Sequence, residues 1–352
     1  MTKMKVAILT PTFSRFSGPD RVALNEAVEM AAEGDKVTII TFRTDFDARQ
    51  LPKNVTVEAL GMPKSGLLER IYRLFFFADV AKVNRIVNSL KDYDEVVSFL
   101  YPMTIPAKIA RQRYGSRLRY VYYDVGVAYP QLFERPTEKA YMKIFAAFTK
   151  MTIRNADAAI SISNFLSGEL KRETGLQSEV KYVKIDTQRF NKGTAARYRK
   201  ETAAVAKKYG LKKPVLLYVG RISPHKGVHL LLRAFKLIKE KIPAATLVVV
   251  GKHTFQKYSR QLQKMAADTG GVVFTGFVPD EELPAYYGSC DVYVTASLWE
   301  GFDIPVCESN AVGKPAVAFN VGSHPEVLKK GMLVEAGNVK EFADAVMKTL
   351  KQ

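Results

Sequence analysis

Short apolar runs alternate with longer amphipathic stretches along the whole chain. In the first half the strand candidates are Lys5–Thr10, Lys36–Phe42, Val55–Leu60, Glu95–Leu100, Arg119–Tyr123, Ala158–Ile162 and Val180–Val183. Between them lie helix candidates, notably Arg21–Glu33, Leu68–Leu90, Glu138–Arg154 and Leu166–Thr174. The second half repeats the pattern. Its strands fall at Pro214–Val219, Ala245–Val250, Val272–Thr275, Val292–Thr295 and Ala316–Phe319. Its helices fall at Val228–Lys241, Tyr258–Thr269, Glu281–Ser289, from about Pro305, and at Val339–Lys351. Alternation of this kind predicts βαβ units on parallel sheets.

A chain of 352 residues with 47% hydrophobic content is too long for one typical core and fits two domains. The boundary is expected in residues 191–213, which are polar, basic and free of strand pattern, although room for a helix remains. That gives an N-terminal Rossmann-like domain over 1–190 and a C-terminal one over 214–352. Charged residues make up 25% and are mixed with apolar ones throughout, so the chain is globular.

The two cysteines, Cys290 and Cys307, form no CxxC pair and no metal spacing, and only four histidines are present. A disulfide scaffold or structural zinc site is therefore not expected, and a cytoplasmic setting is. Residues 4–10 read as a first strand and are too short for a secretory h-region. No apolar run reaches bilayer-spanning length. The net charge of +18 is spread over both halves and attracts polyanions: nucleic acid, an anionic membrane or a phosphorylated substrate.

Three constellations stand out. Gly220-Arg221-Ile222-Ser223-Pro224-His225-Lys226-Gly227 lies between a buried strand and a helix. Ligands of open α/β sheets bind at the carboxyl ends of strands, and two cations between two glycines can clamp a diphosphate. A surface turn with two solvated charges fits the same residues. Glu300-Gly301-Phe302-Asp303-Ile304-Pro305-Val306-Cys307-Glu308 places two carboxylates around a turn into a helix. Pro305 suits the first helical turn, whose amides then face outward as an anion site. The plainer alternative has Glu308 capping its helix and Glu300 solvated. The third, Thr12–Arg21, is a loop into a helix in which Gly18 permits close backbone approach. It is not a GxGxxG, so the dinucleotide signature is absent.

These residues resemble the retaining glycosyltransferases of family 4, the glycosyl transferases group 1, which have the GT-B fold: two Rossmann-like parallel-sheet domains facing each other across a cleft. Their Gly-Arg…Lys-Gly turn corresponds to Gly220-Arg221…Lys226-Gly227. Their Glu-Gly-Phe-Gly…Glu segment corresponds to Glu300-Gly301-Phe302-Asp303…Glu308. Phe274–Val278 resembles the strand that meets the nucleotide base, bringing in Phe277. Leu247–Gly251 resembles the second strand of that domain, running into Gly251. Ala156–Phe165 and Val183–Phe190 resemble the end of the N-terminal domain.

The resemblance implies a hexosyltransferase that moves a sugar from a UDP- or GDP-sugar to a hydroxyl acceptor, with anomeric configuration retained and with no metal or other cofactor. Arg221 and Lys226 would hold the donor diphosphate and stabilise charge as it leaves, and Glu300 would bind sugar hydroxyls near the reacting carbon. Glu308 would bind the ribose, and the backbone of Phe302, Asp303, Ile304, Pro305 and Val306 would meet sugar and phosphate, through the amides of all but the proline. Four departures stand against it. Ser17-Gly18-Pro19 replaces a pair of glycines. Tyr122-Tyr123-Asp124 stands where a catalytic histidine is usual, leaving Asp124 as the candidate acceptor-side base. Asp303 replaces a glycine. The chain ends soon after Val339–Lys351, where relatives continue into crossing helices, which implies looser domain docking.

The N-terminal half is expected to carry the acceptor site, for a glycan or glycolipid. Arg70-Ile71-Tyr72-Arg73-Leu74-Phe75-Phe76-Phe77 sets three phenylalanines beside two cations, and Arg111, Arg113, Arg117 and Arg119 form a basic run. Both features suit an anionic lipid surface at the inner face of the cell membrane. A crossover helix packed on the sheet, with solvated arginines, fits equally. Two other readings stand beside the transferase. One is a basic nucleic-acid-binding α/β protein, not expected because no RNP, KH or zinc motif is present. The other is a degenerate relative that binds donor without reacting.

Overall fold

The computed structural model describes residues 3–14, 17–64, 66–133, 135–253 and 255–351. It contains two compact units. Met1–Pro130 with Arg135–Lys184 form one, and Ile185–Gln352 with Gln131–Glu134 form the other.

The first unit runs β1 (Lys5–Phe13), α1 (Gly18–Ala32), β2 (Lys36–Thr44), β3 (Val55–Ala59), α2 (Gly66–Leu74), α3 (Val80–Ser89), β4 (Glu95–Ser98), α4 (Thr104–Tyr114), β5 (Arg119–Asp124), α5 (Pro136–Ile153), β6 (Ala158–Ser161), α6 (Asn164–Thr174) and β7 (Glu179–Val180). Its seven-stranded sheet has the order β3-β2-β1-β4-β5-β6-β7. The second unit runs α7 (Thr194–Arg197), α8 (Arg199–Tyr209), β8 (Val215–Val219), α9 (Val228–Lys241), β9 (Thr246–Val250), α10 (Gln256–Thr269), β10 (Val272–Gly276), α11 (Leu283–Ser289), β11 (Val292–Thr295), α12 (Ile304–Ala311), β12 (Ala316–Phe319), α13 (His324–Val327), β13 (Gly331–Val334) and α14 (Val339–Thr349). Its six strands are ordered β10-β9-β8-β11-β12-β13. Both sheets are parallel throughout.

Parallel strands covered on both faces read as continuous apolar runs. β9, Thr246-Leu247-Val248-Val249-Val250, is fully buried for that reason. α9 buries Val228, Leu231, Leu232, Phe235 and Ile238, spaced three, four and seven apart as one helical face requires. Each such side chain removed from water contributes roughly 1.5–3 kcal/mol. In each sheet the strand order reverses beside the first strand of the unit, between β1 and β4 and between β8 and β11. Ligands of open α/β sheets bind in the crevice at that point, outside the carboxyl ends of the strands.

The sequence pattern did not predict α13 or β13 and placed β7 at Val180–Val183 instead of Glu179–Val180, and three further segments differ from it. The expected single helix over Leu68–Leu90 is broken. Phe76 turns into the core while Phe75 and Phe77 stay about half exposed, and Asp79 starts a new helix by accepting from Lys82 N at 3.1 Å. Residues 104–114 form α4, which the density of arginines there disguised; Ile105, Ala107 and Ala110 supply its buried face. Much of 191–213 is helical, as α7 and α8, and both pack on α11 of the second unit.

Asp79 both caps α3 and accepts from Tyr72 Oη at 2.8 Å. Asp79→Ala should destabilise the first unit by about 1 kcal/mol, read as a lower urea midpoint with an unchanged slope. An unchanged midpoint would mean that the break at 75–79 depends on neither the cap nor the bond from Tyr72.

Candidate functional site

The loops after β8 and β11 flank the reversal point of the second sheet. The backbone seams them together before any side chain does. Leu298 N donates to His225 O at 2.8 Å. Gly227, with φ +64°, lies so close to the other loop that a Cβ there would sit 1.8 Å from Ala296 O. No other residue fits that position.

Two of the expected catalytic residues meet across this seam. Lys226 Nζ donates to Glu300 Oε1 at 2.6 Å, and the Glu300 side chain is only 6% exposed. Arg221 is exposed on the same loop and has no ion-pair partner among the described residues. Between these cations His225 is pushed down to about 3, first by burial and then by the charges of Lys226 and Arg221. It is a neutral ring, so the positive charge of the loop belongs to Arg221 and Lys226.

Glu308 lies one turn inside α12, is 1% exposed, and accepts from Tyr287 Oη at 2.8 Å. It does not cap α12. Asp303 does, with Oδ1 facing Val306 N at 3.4 Å. This corrects the expectation that the amides there all face outward, because the Val306 amide is directed at a carboxylate of its own chain. Gly301 and Ile304 are buried in the same turn, and Phe302 and Pro305 are partly exposed. Gly220 N donates to Val250 O at 3.0 Å and Gly251 N to Gly276 O at 2.9 Å, so both glycines stitch neighbouring strand ends. Phe277 follows Gly276 and is 46% exposed.

His324, which the sequence pattern did not single out, completes the cluster. It is fully buried at the start of α13. Nδ1 lies 2.6 Å from Phe319 O and Nε2 3.0 Å from Asp303 Oδ2. Both partners are acceptors, so the ring donates from both nitrogens and carries the extra proton. Burial opposes that charge, but the hydrogen bond to Asp303, the charges of Asp303 and Glu300 and the Phe319 carbonyl outweigh it and raise the pKa. Glu300, Asp303 and His324 present ligand-type atoms within 4.8 Å of one another, a spacing that suits a metal ion. Lys226 and His324 already hold the two carboxylates. The scarcity of histidine was the one signal available in the sequence.

Gly18 and Asp124 lie in the first unit. Gly18 is exposed, and a Cβ there would touch nothing within 4 Å. Of the loop that contains it, Arg15 and Phe16 lie outside the described residues. Asp124 is buried, with Gly126 N donating to it at 3.0 Å and Ser161 Oγ at 3.4 Å. Burial outweighs these bonds and a further one from Tyr122, and raises its pKa to about 7. Asp20, also missed in the sequence, sits in the first turn of α1, where Thr12 Oγ1 and Ser14 N donate to it at 3.1 and 3.0 Å. Burial again prevails and lifts it to about 7. The four arginines of the basic run all have partners: Arg111 with Asp157, Arg113 with Asn88, Arg117 with Lys91 O, and Arg119 with Glu95.

Known proteins match both units. The family model described as Glycosyl transferases group 1 matches residues 200–352, and that described as Glycosyl transferase 4-like domain matches 17–183. The GDP-mannose-dependent alpha-(1-6)-phosphatidylinositol monomannoside mannosyltransferase of Mycobacterium tuberculosis is 31% identical over 210 residues, 55% of this chain and 52% of that protein. The O-antigen chain mannosyltransferase B of Escherichia coli is 30% identical over 155 residues, 43% of this chain and 41% of that protein. The chain thus spans about half the length of the curated relatives it matches, or less. Among solved structures, sucrose-phosphate synthase of Thermosynechococcus elongatus superposes with a TM-score of 0.80 at 19% identity, covering 99% of this chain and 90% of that one. Anabaena HepE in complex with UDP and glucose superposes at 0.78 and 20%, with the same coverage. At these identities the structures show the fold, which is of GT-B type.

A raised carboxyl pKa has a defined effect on stability. The folded protein holds the Asp124 proton up to about pH 7, whereas an ordinary aspartate releases it near 3.8. The contribution is therefore full at low pH and is lost as pH rises through about 7. Asp124→Asn can keep the bonds with Gly126 N and Ser161 Oγ and removes the charge. Its melting temperature relative to the parent should climb between pH 5 and pH 8. A difference that stays flat over that range would mean Asp124 is ionised throughout.

Proposed function

We propose that this chain, which belongs to the glycosyl transferases group 1 family, moves a hexose from a UDP- or GDP-sugar to a hydroxyl acceptor with retention of anomeric configuration. The observation that carries the reading is the Lys226–Glu300 contact beside Arg221 and Glu308, at the reversal point of the second sheet. Arg221 and Lys226 hold the donor diphosphate, and their charge grows in value as the leaving group separates. Glu308 holds the ribose and Glu300 the sugar hydroxyls. Phe277 meets the base. The acceptor hydroxyl attacks from the face the diphosphate leaves, so no carboxylate nucleophile is needed, in contrast to a retaining glycosidase. The relatives named for GDP-mannose and the neighbour bound to UDP and glucose both support a hexose donor. On this reading no metal or other cofactor is required, because two protein cations already serve the site. Asp124, held near neutrality, is the candidate base on the acceptor side.

We also place the acceptor at a cytoplasmic membrane face, as a glycan or glycolipid. Among the described residues no helix is long and apolar enough to cross a membrane. α2 nevertheless presents Leu67 at 71% exposed, with Leu68 and Ile71, followed by Phe75, Phe77 and Val80. Arg70 and Arg73 lie among them. An apolar face edged by cations suits insertion at an anionic headgroup layer.

Two experiments test these readings. A thermal-shift screen with UDP-, GDP- and ADP-sugars should give stabilisation by one or two of them, about 2.7 kcal/mol at a hundredfold excess over Kd. Turnover should survive EDTA and fall on the order of 10²–10³-fold in Lys226→Ala. Absence of any stabilisation contradicts the donor site. Loss of turnover in EDTA contradicts the metal-free reading. Separately, the protein should co-sediment with anionic vesicles at low salt, and Phe75→Asp with Phe77→Asp should weaken that binding at least about tenfold, because a carboxylate resists entry into apolar lipid. Binding equal to that of neutral vesicles would contradict the membrane reading.

A further inference from the structure

Beyond the residues that hold donor phosphate and ribose, the second unit contains a paired substitution. Asp303 stands where the related motif has glycine, and His324 reaches it from a different loop. The turn after β12 is pressed onto the turn before α12. Ser323 N donates to Glu300 O at 3.1 Å. Gly322, with φ +55°, would put a Cβ 2.1 Å from Glu300 O, so the approach tolerates glycine alone. His324 then spans the gap, with Nε2 on Asp303 Oδ2 at 3.0 Å and Nδ1 on Phe319 O at 2.6 Å.

The chemistry explains why the two residues belong together. A carboxylate introduced alone at the start of α12 would be buried beside Glu300, in the place expected to meet an anionic donor. A doubly donating imidazole cancels that charge and fixes the carboxylate's orientation. A carboxylate has about four lone-pair sites, and among the described residues the Asp303 side chain has two partners, one in the long contact to Val306 N. Next to this pair the Ser323 hydroxyl is buried and has no hydrogen-bond partner among the described residues. Such a group in a fully buried position ordinarily finds one. An acceptor with spare capacity and a hydroxyl without a partner suit a polyhydroxylated ligand.

We propose that Asp303 and Ser323 bind hydroxyls of the donor hexose and thereby set which epimer the site accepts, with His324 as the positioning residue that holds Asp303. This rests on the transferase reading. The two are separable because nucleoside diphosphate alone lacks the sugar and reports only on Arg221, Lys226 and Glu308.

The test compares binding of UDP and GDP with that of their glucose, galactose and mannose derivatives, by calorimetry on the full chain. The variants are His324→Gln, Ser323→Ala and the doubly neutral Asp303→Gly with His324→Asn. The double variant removes both charges together and so leaves no unpaired buried charge, which makes it the comparison should His324→Gln fail to fold. Affinity for nucleoside diphosphate should stay within about twofold. Affinity for the preferred nucleotide sugar should fall on the order of tenfold or more, as expected when a site loses hydrogen bonds to substrate hydroxyls. The ranking of the epimers should change in the double variant, with the loss in KM for donor exceeding that in kcat in Ser323→Ala. An unchanged ranking, or equal losses for nucleoside diphosphate and nucleotide sugar, overturns the proposal and leaves the transferase reading intact. A parent protein that binds neither UDP, GDP nor their sugars overturns both.

Discussion

The contact between Lys226 Nζ and Glu300 Oε1 organises the second unit's binding edge. Taken as a stability term it is a weak argument, since bringing two charges out of water costs about as much as their attraction returns. Its importance is positional. It joins the loop after β8 to the loop after β11 across the point where the strand order reverses, where the crevice of such a sheet lies. The backbone prepares that meeting through Leu298 N on His225 O and through Gly227 pressed against Ala296. The lysine is therefore held in place by a carboxylate rather than left to search, which lowers the ordering cost when an anion arrives.

Desolvation dominates the buried carboxylates of the first unit: even Glu95, which accepts from Arg119, is raised by burial. Asp20 and Asp124 in the first unit accept bonds only from hydroxyls and amides in their immediate surroundings. Desolvation prevails and both are lifted to about 7. In the second unit Glu300 meets Lys226 and Asp303 meets His324. On the transferase reading this division has a use. The donor side needs cations placed toward a diphosphate, and the acceptor side needs a group able to take up a proton near neutrality.

Much of the architecture was legible because it depends on local periodicity. β11, β12 and α9 have the bounds that the alternation of Val292–Thr295, Ala316–Phe319 and Val228–Lys241 predicts. The failures have physical causes. Leu68–Leu90 has a continuous helical pattern, yet one capping aspartate at 79 and one buried ring at 76 were enough to divide it. The arginines of 111–119 looked like a solvated or lipid-facing run, but each finds a partner brought close only by the fold. The site divides in the same way. Arg221, Lys226, Glu300 and Glu308 lie in two short segments whose spacing can be read directly. His324 and Ser323 lie about twenty residues further on and reach Asp303 and Glu300 only through the parallel crossover from β11 to β12.

That crossover also explains why one residue of the pair could be noticed and the other not. Asp303 departs from a glycine within a recognisable segment, so its strangeness is visible where it stands. His324 departs from nothing that can be seen without its partner. A buried carboxylate at a helix start is a cost unless something answers it, and the number of side chains able to do so in an interior is small: an arginine, a lysine or a histidine. Lysine 226 is already committed to Glu300, and Arg221 is exposed. With four histidines in the chain, an unexplained aspartate in such a place is reason to ask which of them comes to meet it. The answer here, a ring fixed on its far side by the Phe319 carbonyl, is a residue placed by the end of one strand to serve the loop of another.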